Sequence, residues 1–262
     1  MNTDTNTNTT TISNPAILWI VEAQFDFMRN DESFAGGLPV PGAREIEPNI
    51  EMLVKEFKAR KKPKVFTGDW HTMQTKEISK NPDYVNTFPV HCLVDSPGAR
   101  FIPATQLHDP HTIPYIIDWR SPSYDADLVK AISSGASPRD LVMYKDHFDI
   151  FHGSPESPHA ETVLNILNPS AVIIGGVAAN VCVNYARVGL MRRNIKVYAV
   201  TDAIKELPGK PLDEIYEGWK AEGTRLITTA EVPALLDSLY SASSSAGLSS
   251  GNTLGGSKVD QQ

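Results

Sequence analysis

Residues 171–200, AVIIGGVAANVCVNYARVGLMRRNIKVYAV, contain the clearest alternation of strand and helix patterns in the chain. Residues 171–175 are apolar and end at a pair of glycines, a pattern that predicts a buried strand. A helical pattern follows over 181–193, and the apolar run at 195–200 predicts a second strand. Apolar strands separated by helices are typical of a parallel sheet that is covered on both faces.

The rest of the chain repeats this alternation. Further strands are predicted at 16–21, 64–67, 141–145 and 225–227. Further helices are predicted at 46–57, 160–167, 214–222 and 230–239. We therefore predict an α/β fold, a three-layer, doubly wound sandwich around a mainly parallel central sheet. The ligand crevice of such a sheet lies beyond the carboxyl ends of its strands.

Composition divides the chain into one folded domain and two polar tails. Residues 1–14 are rich in Asn and Thr, and residues 241–262 are rich in Ser and Gly, so we predict that both are disordered. The folded domain is expected to span residues 15–240. Inside it, residues 101–140 are predicted to add surface structure, either a lid or an oligomer contact.

The bulk composition is that of an ordinary globular protein. Of the 262 residues, 41% are hydrophobic and 21% charged, and the net charge is −7. This charge disfavours nucleic acid and anionic membranes as partners, and no apolar run approaches the ~20 residues that span a bilayer. We see no secretory signal, and two cysteines make no disulfide framework. We therefore expect a cytoplasmic protein with free thiols.

Polar side chains follow four of the predicted strands. In chain order they are Glu22, then Asp69 with His71, then Lys145, and finally Cys182 beyond a Gly-Gly turn. Because the carboxyl ends of parallel strands meet at one edge of the sheet, we expect these four regions to converge.

Cys182 is predicted to lie in the first turn of a helix. Free N–H groups and the helix dipole stabilise a thiolate there, and the same amides would hold an oxyanion during acyl transfer. A small buried apolar residue at a helix start is the alternative interpretation. The small residues that precede Cys182 favour a nucleophile, because they let a substrate approach the backbone.

Lys145 and Glu22 each allow two interpretations. Lys145 is expected either to lower the pKa of a nearby thiol or to extend its amine out of the sheet edge into solvent. Glu22 follows a buried strand, where a carboxylate is costly unless it is paired. It is expected to pair with Lys145 or exchange a proton with Cys182, or else to serve as a helix cap or a structural ion pair.

Asp69 and His71 are two residues apart, so both side chains point the same way in an extended segment. With His91 as a third ligand, they would suit Zn²⁺, Fe²⁺ or Mn²⁺. The other histidines lie in polar segments and are predicted to be solvated; they are His108, His111, His147, His152 and His159.

Five ordered motifs resemble one enzyme family. They are VEAQFDF at 21–27, DWH at 69–71, FPVHC at 88–92 followed by SPGA at 96–99, KDHFDIF at 145–151 and GVAANVC at 176–182. In this order they resemble the nicotinamidase branch of the isochorismatase-like cysteine hydrolases. The resemblance implies a metal-assisted amidohydrolase that converts nicotinamide and water to nicotinate and ammonia through a thioester. It also implies a homo-oligomer as the default state and a small amide as the substrate.

The resemblance implies catalytic roles. Cys182 matches the nucleophile and Lys145 the catalytic lysine, whereas Glu22 stands where the family has an aspartate. The amides of Ala178 and Cys182 match the oxyanion hole, which follows a cis peptide bond between Val177 and Ala178.

The resemblance also implies binding residues. The expected ligands of one divalent ion, Zn²⁺ or else Fe²⁺ or Mn²⁺, are Asp69, His71, His91 and Glu77. Phe27 and Phe88 match aromatic positions that sandwich the substrate ring. Cys92 is expected to be structural.

Glu22 leaves the activity open between alternatives. Glutamate is one methylene longer than aspartate, which displaces its carboxylate by about 1.5 Å on an unchanged backbone, and a misplacement near 1 Å costs about a hundredfold in rate. The chain is therefore expected to be an active enzyme with a reshaped site, or a weakened or inactive relative that binds metal. Hydrolysis of another small amide or of a carbamoyl compound is a further alternative.

Overall fold

The structure, a computed structural model, describes residues 14–108, 114–118, 140–152 and 159–249. The predicted tail at 1–14 lies almost entirely outside these residues, as does the final part of the C-terminal tail. Among the described helices, none has both the length and the apolar composition that crossing a bilayer requires.

A seven-stranded sheet forms the centre of the protein. Its strands in chain order are β1 Ile17–Val21, β4 Lys64–Asp69, β5 Tyr115–Asp118, β6 Leu141–Lys145, β7 Ala171–Val177, β8 Lys196–Lys205 and β9 Arg225–Ile227. Two short strands, β2 Asn30–Asp31 and β3 Phe34–Ala35, form a separate ribbon. The spatial order is β5-β6-β4-β1-β7-β8-β9, and every neighbouring pair is parallel.

Helices cover both faces of this sheet. They are α1 Phe25–Met28, α2 Glu47–Ala59, α3 His159–Leu167, α4 Cys182–Arg192, α5 Leu212–Ala221 and α6 Val232–Ser249. Helices α2 and α6 pack on one face, and α3, α4 and α5 pack on the other. Alternate side chains of β1 enter the two cores, with Leu18 on one side and Trp19 on the other. The predicted three-layer, doubly wound sandwich is therefore confirmed.

The position of β1 explains where a site forms. After β1 the chain builds strands on one side of it and then crosses to build the other side. Carboxyl ends diverge at such a reversal and leave a crevice. Gly176 allows close contact across it, because a Cβ atom on this residue, whose φ is +115°, would collide with the backbone of Val21.

Several parts of the fold differ from the sequence predictions. Helix α1 and the ribbon of β2 and β3 were not predicted. Helix α6 continues to Ser249, ten residues past the predicted end and into the stretch predicted as disordered. The Ser241 hydroxyl donates to the carbonyl of Asp237 inside the helix, so a Ser-rich composition is compatible with helix here. Strand β5 lies within residues 101–140 and extends the main sheet. Of residues 109–140, the structure describes only 114–118 and 140.

Candidate active site

The structure brings the four predicted strand-end regions together. Glu22 follows β1 directly, Asp69 and Lys145 are the last residues of β4 and β6, and Cys182 is the first residue of α4. Asp69 and Lys145 are partners in the strand register, so they lie side by side. The carboxyl edge of the sheet thus collects two carboxylates, an amine and a thiol.

Lys145 is the centre of this cluster. Its Nζ atom donates to Asp69 Oδ1 and lies 3.2 Å from Glu22 Oε1 and 3.6 Å from Cys182 Sγ. All four side chains are buried. A buried amine is costly unless it is paired, and these contacts provide the pairing. The alternative in which Lys145 extends into solvent is wrong.

Glu22 makes the contacts of a paired carboxylate despite its extra methylene. Its Oε1 atom accepts from the Thr67 hydroxyl at 3.0 Å in addition to the ion pair with Lys145. The backbone of Glu22 is left-handed, with φ of 49°, which few residues other than glycine adopt. Carboxylate oxygens of Glu22 and Asp69 lie within 4.8 Å of each other and of Cys182 Sγ. The glutamate therefore reaches the thiol region.

The charge distribution favours a protonated thiol beside a carboxyl group that titrates near neutrality. Burial, reinforced by Asp69, raises the pKa of Glu22 to about 7. Burial also raises the pKa of the Cys182 thiol well above its usual value; Lys145 opposes this rise, and the nearby carboxylates reinforce it. Lys145 does act to lower the thiol pKa, as expected, but burial makes the net shift upward, so the nucleophile needs a base.

Asp69 is the carboxylate that stays ionised. Burial alone would raise its pKa, but Lys145 and His71 hold that pKa well below its usual range. Lys145 is held in its charged form in turn, because Asp69 and its other neighbours raise its pKa despite burial. The two residues form a permanent charge pair at the base of the site.

The backbone before Cys182 forms a tight turn. The Val177–Ala178 peptide bond is cis, as the resemblance implied. The Ala178 carbonyl accepts from the amides of Val181 and Val183, at 3.0 and 3.2 Å. Ala178 and Cys182 both line one small pocket. The amide of a first helical residue has no acceptor within its helix, so this turn can present N–H groups to a substrate oxygen.

A second cluster lies beside Asp69 and has the donors of a metal site. Asp69 Oδ2 is 3.5 Å from His71 Nε2 and 3.6 Å from His91 Nε2. Glu77 Oε2 is 4.0 Å from His71 Nε2. Two imidazole nitrogens and two carboxylate oxygens form a donor set that suits Zn²⁺ or a similar divalent ion.

Orphaned polar atoms show that the cluster fits an ion. Neither ring nitrogen of His71 has a hydrogen-bond partner in the structure, and neither does Glu77 Oε2, although all are buried. Such atoms are rarely left unpaired. The Nδ1 atom of His91 contacts the Pro89 carbonyl at 2.7 Å, which leaves Nε2 free to bind metal. Burial and the charge of Asp69 raise the pKa of Glu77 to about 8, and a bound cation would favour its ionised form.

Aromatic side chains surround the pocket in front of Cys182. Phe27 and Phe88 both line it, and Phe148 is a third aromatic wall. The rings of Phe88 and Phe148 meet edge to face, with centroids 5.6 Å apart. The volume of this catalytic pocket is only about 20 Å³, so it holds a group little larger than a water molecule unless a side chain moves.

Sequence reasoning missed the residues that hold the site in place. Gln24 donates to the carbonyls of Asp69 and Ala99, both at 2.8 Å, and accepts from the Asp69 amide at 2.7 Å. Asp26 accepts from the amides of Gly37 and Cys92. Both residues lie in the quoted motif at 21–27, so the motif signalled their importance but not their roles.

The remaining predicted histidines and Cys92 lie outside the catalytic pocket. His108 is exposed, and His147 stacks on His152 with centroids 3.8 Å apart. His159 is buried at the start of α3, so its prediction as a solvated residue is wrong; the helix packs this first turn against the core. His111 lies outside the described residues. Cys92 is fully buried.

Comparison with known protein families decides the relationship. A family model described as the isochorismatase domain matches residues 16–231. This chain belongs to the isochorismatase family. The matched region therefore covers the whole central sheet and ends directly before α6. A comparison with curated proteins gives no match.

Solved structures share the isochorismatase-family fold at low sequence identity. The pyrazinamidase of Pyrococcus horikoshii, in complex with zinc, is 21% identical with a TM-score of 0.58 over 82% of this chain and 99% of that chain. A nicotinamidase from Bacillus subtilis is 17% identical, with a TM-score of 0.60 over 81% and 98%. An N-carbamoylsarcosine amidase from Thermoplasma acidophilum is 17% identical, with a TM-score of 0.57 over 82% and 96%.

Proposed function

We propose that this isochorismatase-family hydrolase is a metal-assisted cysteine amidohydrolase that converts nicotinamide to nicotinate and ammonia. One observation carries the proposal: the buried amine of Lys145 contacts both Cys182 and Glu22, directly beside the Asp69–His71–His91 cluster. A thiol, a base and a fixed cation together supply what acyl transfer through a cysteine needs.

Formation of the thioester begins with a proton transfer. The Glu22 carboxylate takes the proton of Cys182, and the sulfur attacks the amide carbon. The resulting oxyanion accepts from the amides of Ala178 and Cys182. The C–N bond then breaks, and the nitrogen takes the proton back from Glu22 and leaves as ammonia.

Hydrolysis of the thioester uses the same groups. Glu22 takes a proton from water as the water oxygen attacks the carbonyl carbon. The C–S bond breaks, the sulfur regains a proton, and the carboxylic acid leaves. Lys145 remains charged throughout and stabilises each negative charge that forms next to it.

The metal cluster supports the choice of a heteroaromatic amide. Asp69, His71, His91 and Glu77 would hold a divalent ion, which we propose to be Zn²⁺, with Fe²⁺ or Mn²⁺ as alternatives. When bound, the ion supplies a Lewis acid that can hold the ring nitrogen of nicotinamide. Phe27 and Phe88 would contact the two faces of the ring, and a lining side chain must move to admit it, because the ring needs more than about 20 Å³.

The similar structures support the same class of substrate. A pyrazinamidase, a nicotinamidase and an N-carbamoylsarcosine amidase are all among them. The first two act on heteroaromatic amides by name, which agrees with a metal cluster beside the thiol. Because the third is an N-carbamoylsarcosine amidase, carbamoyl compounds are the alternative substrates to test against nicotinamide.

Ammonia release tests the proposal. The zinc-loaded protein is incubated with nicotinamide, pyrazinamide, a simple aliphatic amide and a ureido compound. We expect release from the heteroaromatic amides, loss of release in Cys182→Ala, and retention in the matched control Met52→Ala, whose side chain is exposed on α2. Release from the ureido compound alone would contradict the choice of nicotinamide, and no release from any amide would contradict the enzyme.

A further inference from the structure

A second cavity of about 420 Å³ opens beside the catalytic pocket. Three separate parts of the chain line it: residues 37–39, then Tyr84 with residues 88–89, and finally residues 180–181 with 207–208. We call this cavity the outer groove. Its volume lies within the range of about 300–1,000 Å³ that is typical of ligand sites.

The outer groove adjoins the catalytic pocket. Leu38, Phe88, Val181 and Leu207 line both cavities, so these four residues form the wall between them. If one of these side chains moves, a molecule with one end against Cys182 can extend its other end into the outer groove.

The lining of the outer groove selects against charge. No charged side chain lines it among the described residues, and its walls are mainly proline, leucine and aromatic groups. The Asn180 carboxamide is already occupied, because it donates to the Leu207 carbonyl and accepts from the Leu207 amide, each at 3.0 Å. A charged group placed here would lose water without gaining a partner.

The outer groove is held open by its own walls. The Asp83 carboxylate accepts from the amides of Val85, Asn86 and Thr87, at 2.7 to 2.9 Å. This turn presents Tyr84, which is 63% exposed, at the rim of the groove. The pairing of Asn180 with Leu207 fixes the opposite wall. A preformed apolar groove binds a ligand without the cost of ordering its walls.

The two volumes together define the substrate class. The catalytic pocket holds a group little larger than a water molecule until a lining side chain moves, whereas the outer groove already has room for a substituent of several carbon atoms. We propose that the preferred substrates are primary carboxamides that carry an uncharged apolar substituent, which lies in the outer groove while the amide meets Cys182. This inference rests on the proposed amidohydrolase activity and specifies its substrate beyond nicotinamide itself.

Matched substrate pairs test the inference on the zinc-loaded protein. A set of nicotinamides, each with one butyl group at a different free ring carbon, is compared with nicotinamide, and hexanamide is compared with acetamide. The charged controls are the same compounds with a chain of equal length that ends in a carboxylate. We expect kcat/KM to rise by up to about fourfold for each CH₂ that is buried, from ~0.8 kcal/mol per methylene, and the charged chains to give no rise. Equal kcat/KM for the apolar, unsubstituted and charged members would overturn the inference.

The variant Tyr84→Asp places a charge at the rim of the groove. Tyr84 has a left-handed backbone, with φ of 56°, which Asp tolerates better than most residues. We expect the ratio of kcat/KM for butyl-substituted over unsubstituted substrate to fall at least tenfold in Tyr84→Asp and to stay unchanged in the control Met52→Asp. An unchanged ratio in Tyr84→Asp would overturn the inference.

The same experiments separate this inference from the proposed function. If no amide releases ammonia, the proposed function fails and the inference with it. If ammonia is released without any preference for apolar substituents, only the inference fails. If light scattering shows that Tyr84→Asp converts an oligomer to a smaller species, a second copy of the chain covers the outer groove, and the inference is overturned.

Discussion

Asp69 and Lys145 pair across neighbouring strands, and the pair links two sites. One carboxylate oxygen of Asp69 accepts from Lys145, while the other lies 3.5–3.6 Å from the histidines of the metal cluster. A single side chain therefore contacts the amine that lies next to the thiol and would supply a donor to an ion bound at the proposed metal site. Damage to Asp69 should affect both functions together.

Asp69→Asn is expected to lose both functions. The amide keeps the shape of the carboxylate but removes the charge that pairs with Lys145 and binds the ion. We expect zinc affinity to fall by more than the ~10–100-fold typical of residues that only support a ligand, and ammonia release to fall with it. Calorimetric zinc titration and the ammonia assay measure the two effects, and full zinc affinity in the variant would contradict the assignment of Asp69 as a ligand.

Glu22 is expected to act as the base at its present length. Glu22→Gln removes the carboxylate that takes the thiol proton and should lower kcat by about 10²–10⁴-fold. Glu22→Asp keeps the charge but withdraws it by about one methylene, and should cost about a hundredfold. Steady-state kinetics on both variants decides the matter, and an Asp variant as active as the natural protein would show that the site accepts either length.

The pH dependence follows from the same residue. Glu22 must be ionised to take the thiol proton, and its pKa is raised to about 7. Therefore kcat/KM should be low in acid and rise to a plateau as pH passes through about 7. A cation bound at Asp69 favours the ionised form of Glu22. The midpoint pH of the rise in kcat/KM should therefore be equal or lower in the zinc-loaded protein than in the metal-free protein. The profile is measured with nicotinamide, and if the rise near pH 7 persists in Glu22→Gln, it belongs to another group.

Gln24 is expected to be a positioning residue. Gln24→Leu leaves the amide and carbonyl of Asp69 without their buried partners, at a cost of about 1–3 kcal/mol for each group. We expect a lower urea midpoint together with weaker zinc binding. Gln24→Glu keeps the oxygen that accepts from the Asp69 amide but loses the nitrogen that donates to the Asp69 and Ala99 carbonyls, so it should regain little of the binding. If stability falls while zinc affinity holds, the role of Gln24 is structural only.

The last helix is expected to depend on one hydrogen bond to the central strand. The Tyr240 hydroxyl donates to the Ala16 carbonyl at 2.5 Å, next to the start of β1. Tyr240→Phe should lower the free energy of unfolding by about 1 kcal/mol. Urea unfolding measures it, with Ser243→Ala on the exposed side of the same helix as the control. A change below the experimental error would show that this hydrogen bond adds no net stability.

The main features of the fold were predictable because their signals are local. The apolar run before Glu22 and the Gly-Gly turn before Cys182 each mark a strand end without any knowledge of the tertiary structure. Strand β5 gave no such signal, since it is only four residues long and lies at the edge of the sheet, where Ile116 is half exposed. The extension of α6 was missed because serine composition alone does not distinguish a helix from a tail.

The candidate site was predictable only in its reacting groups. Cys182, Lys145 and the metal cluster carry chemistry that the sequence displays. The hydrogen bonds between Gln24 and Asp69 join two residues that are 45 positions apart, so only the folded chain reveals them. The buried state of the thiol, and hence its raised pKa, likewise depends on what packs around it.

The sheet order has a consequence for how activity is gained and lost. The groups of the site come from residues 22, 69, 145 and 182, at or just beyond the carboxyl ends of strands whose neighbours in the sheet are far away in the sequence. Such non-local pairing forms slowly during folding. No fragment of the chain contains the full set of reacting groups unless it spans most of the sheet. Ammonia release should therefore return only in the last kinetic phase of refolding, which would make the reaction a direct probe of when the central sheet is complete.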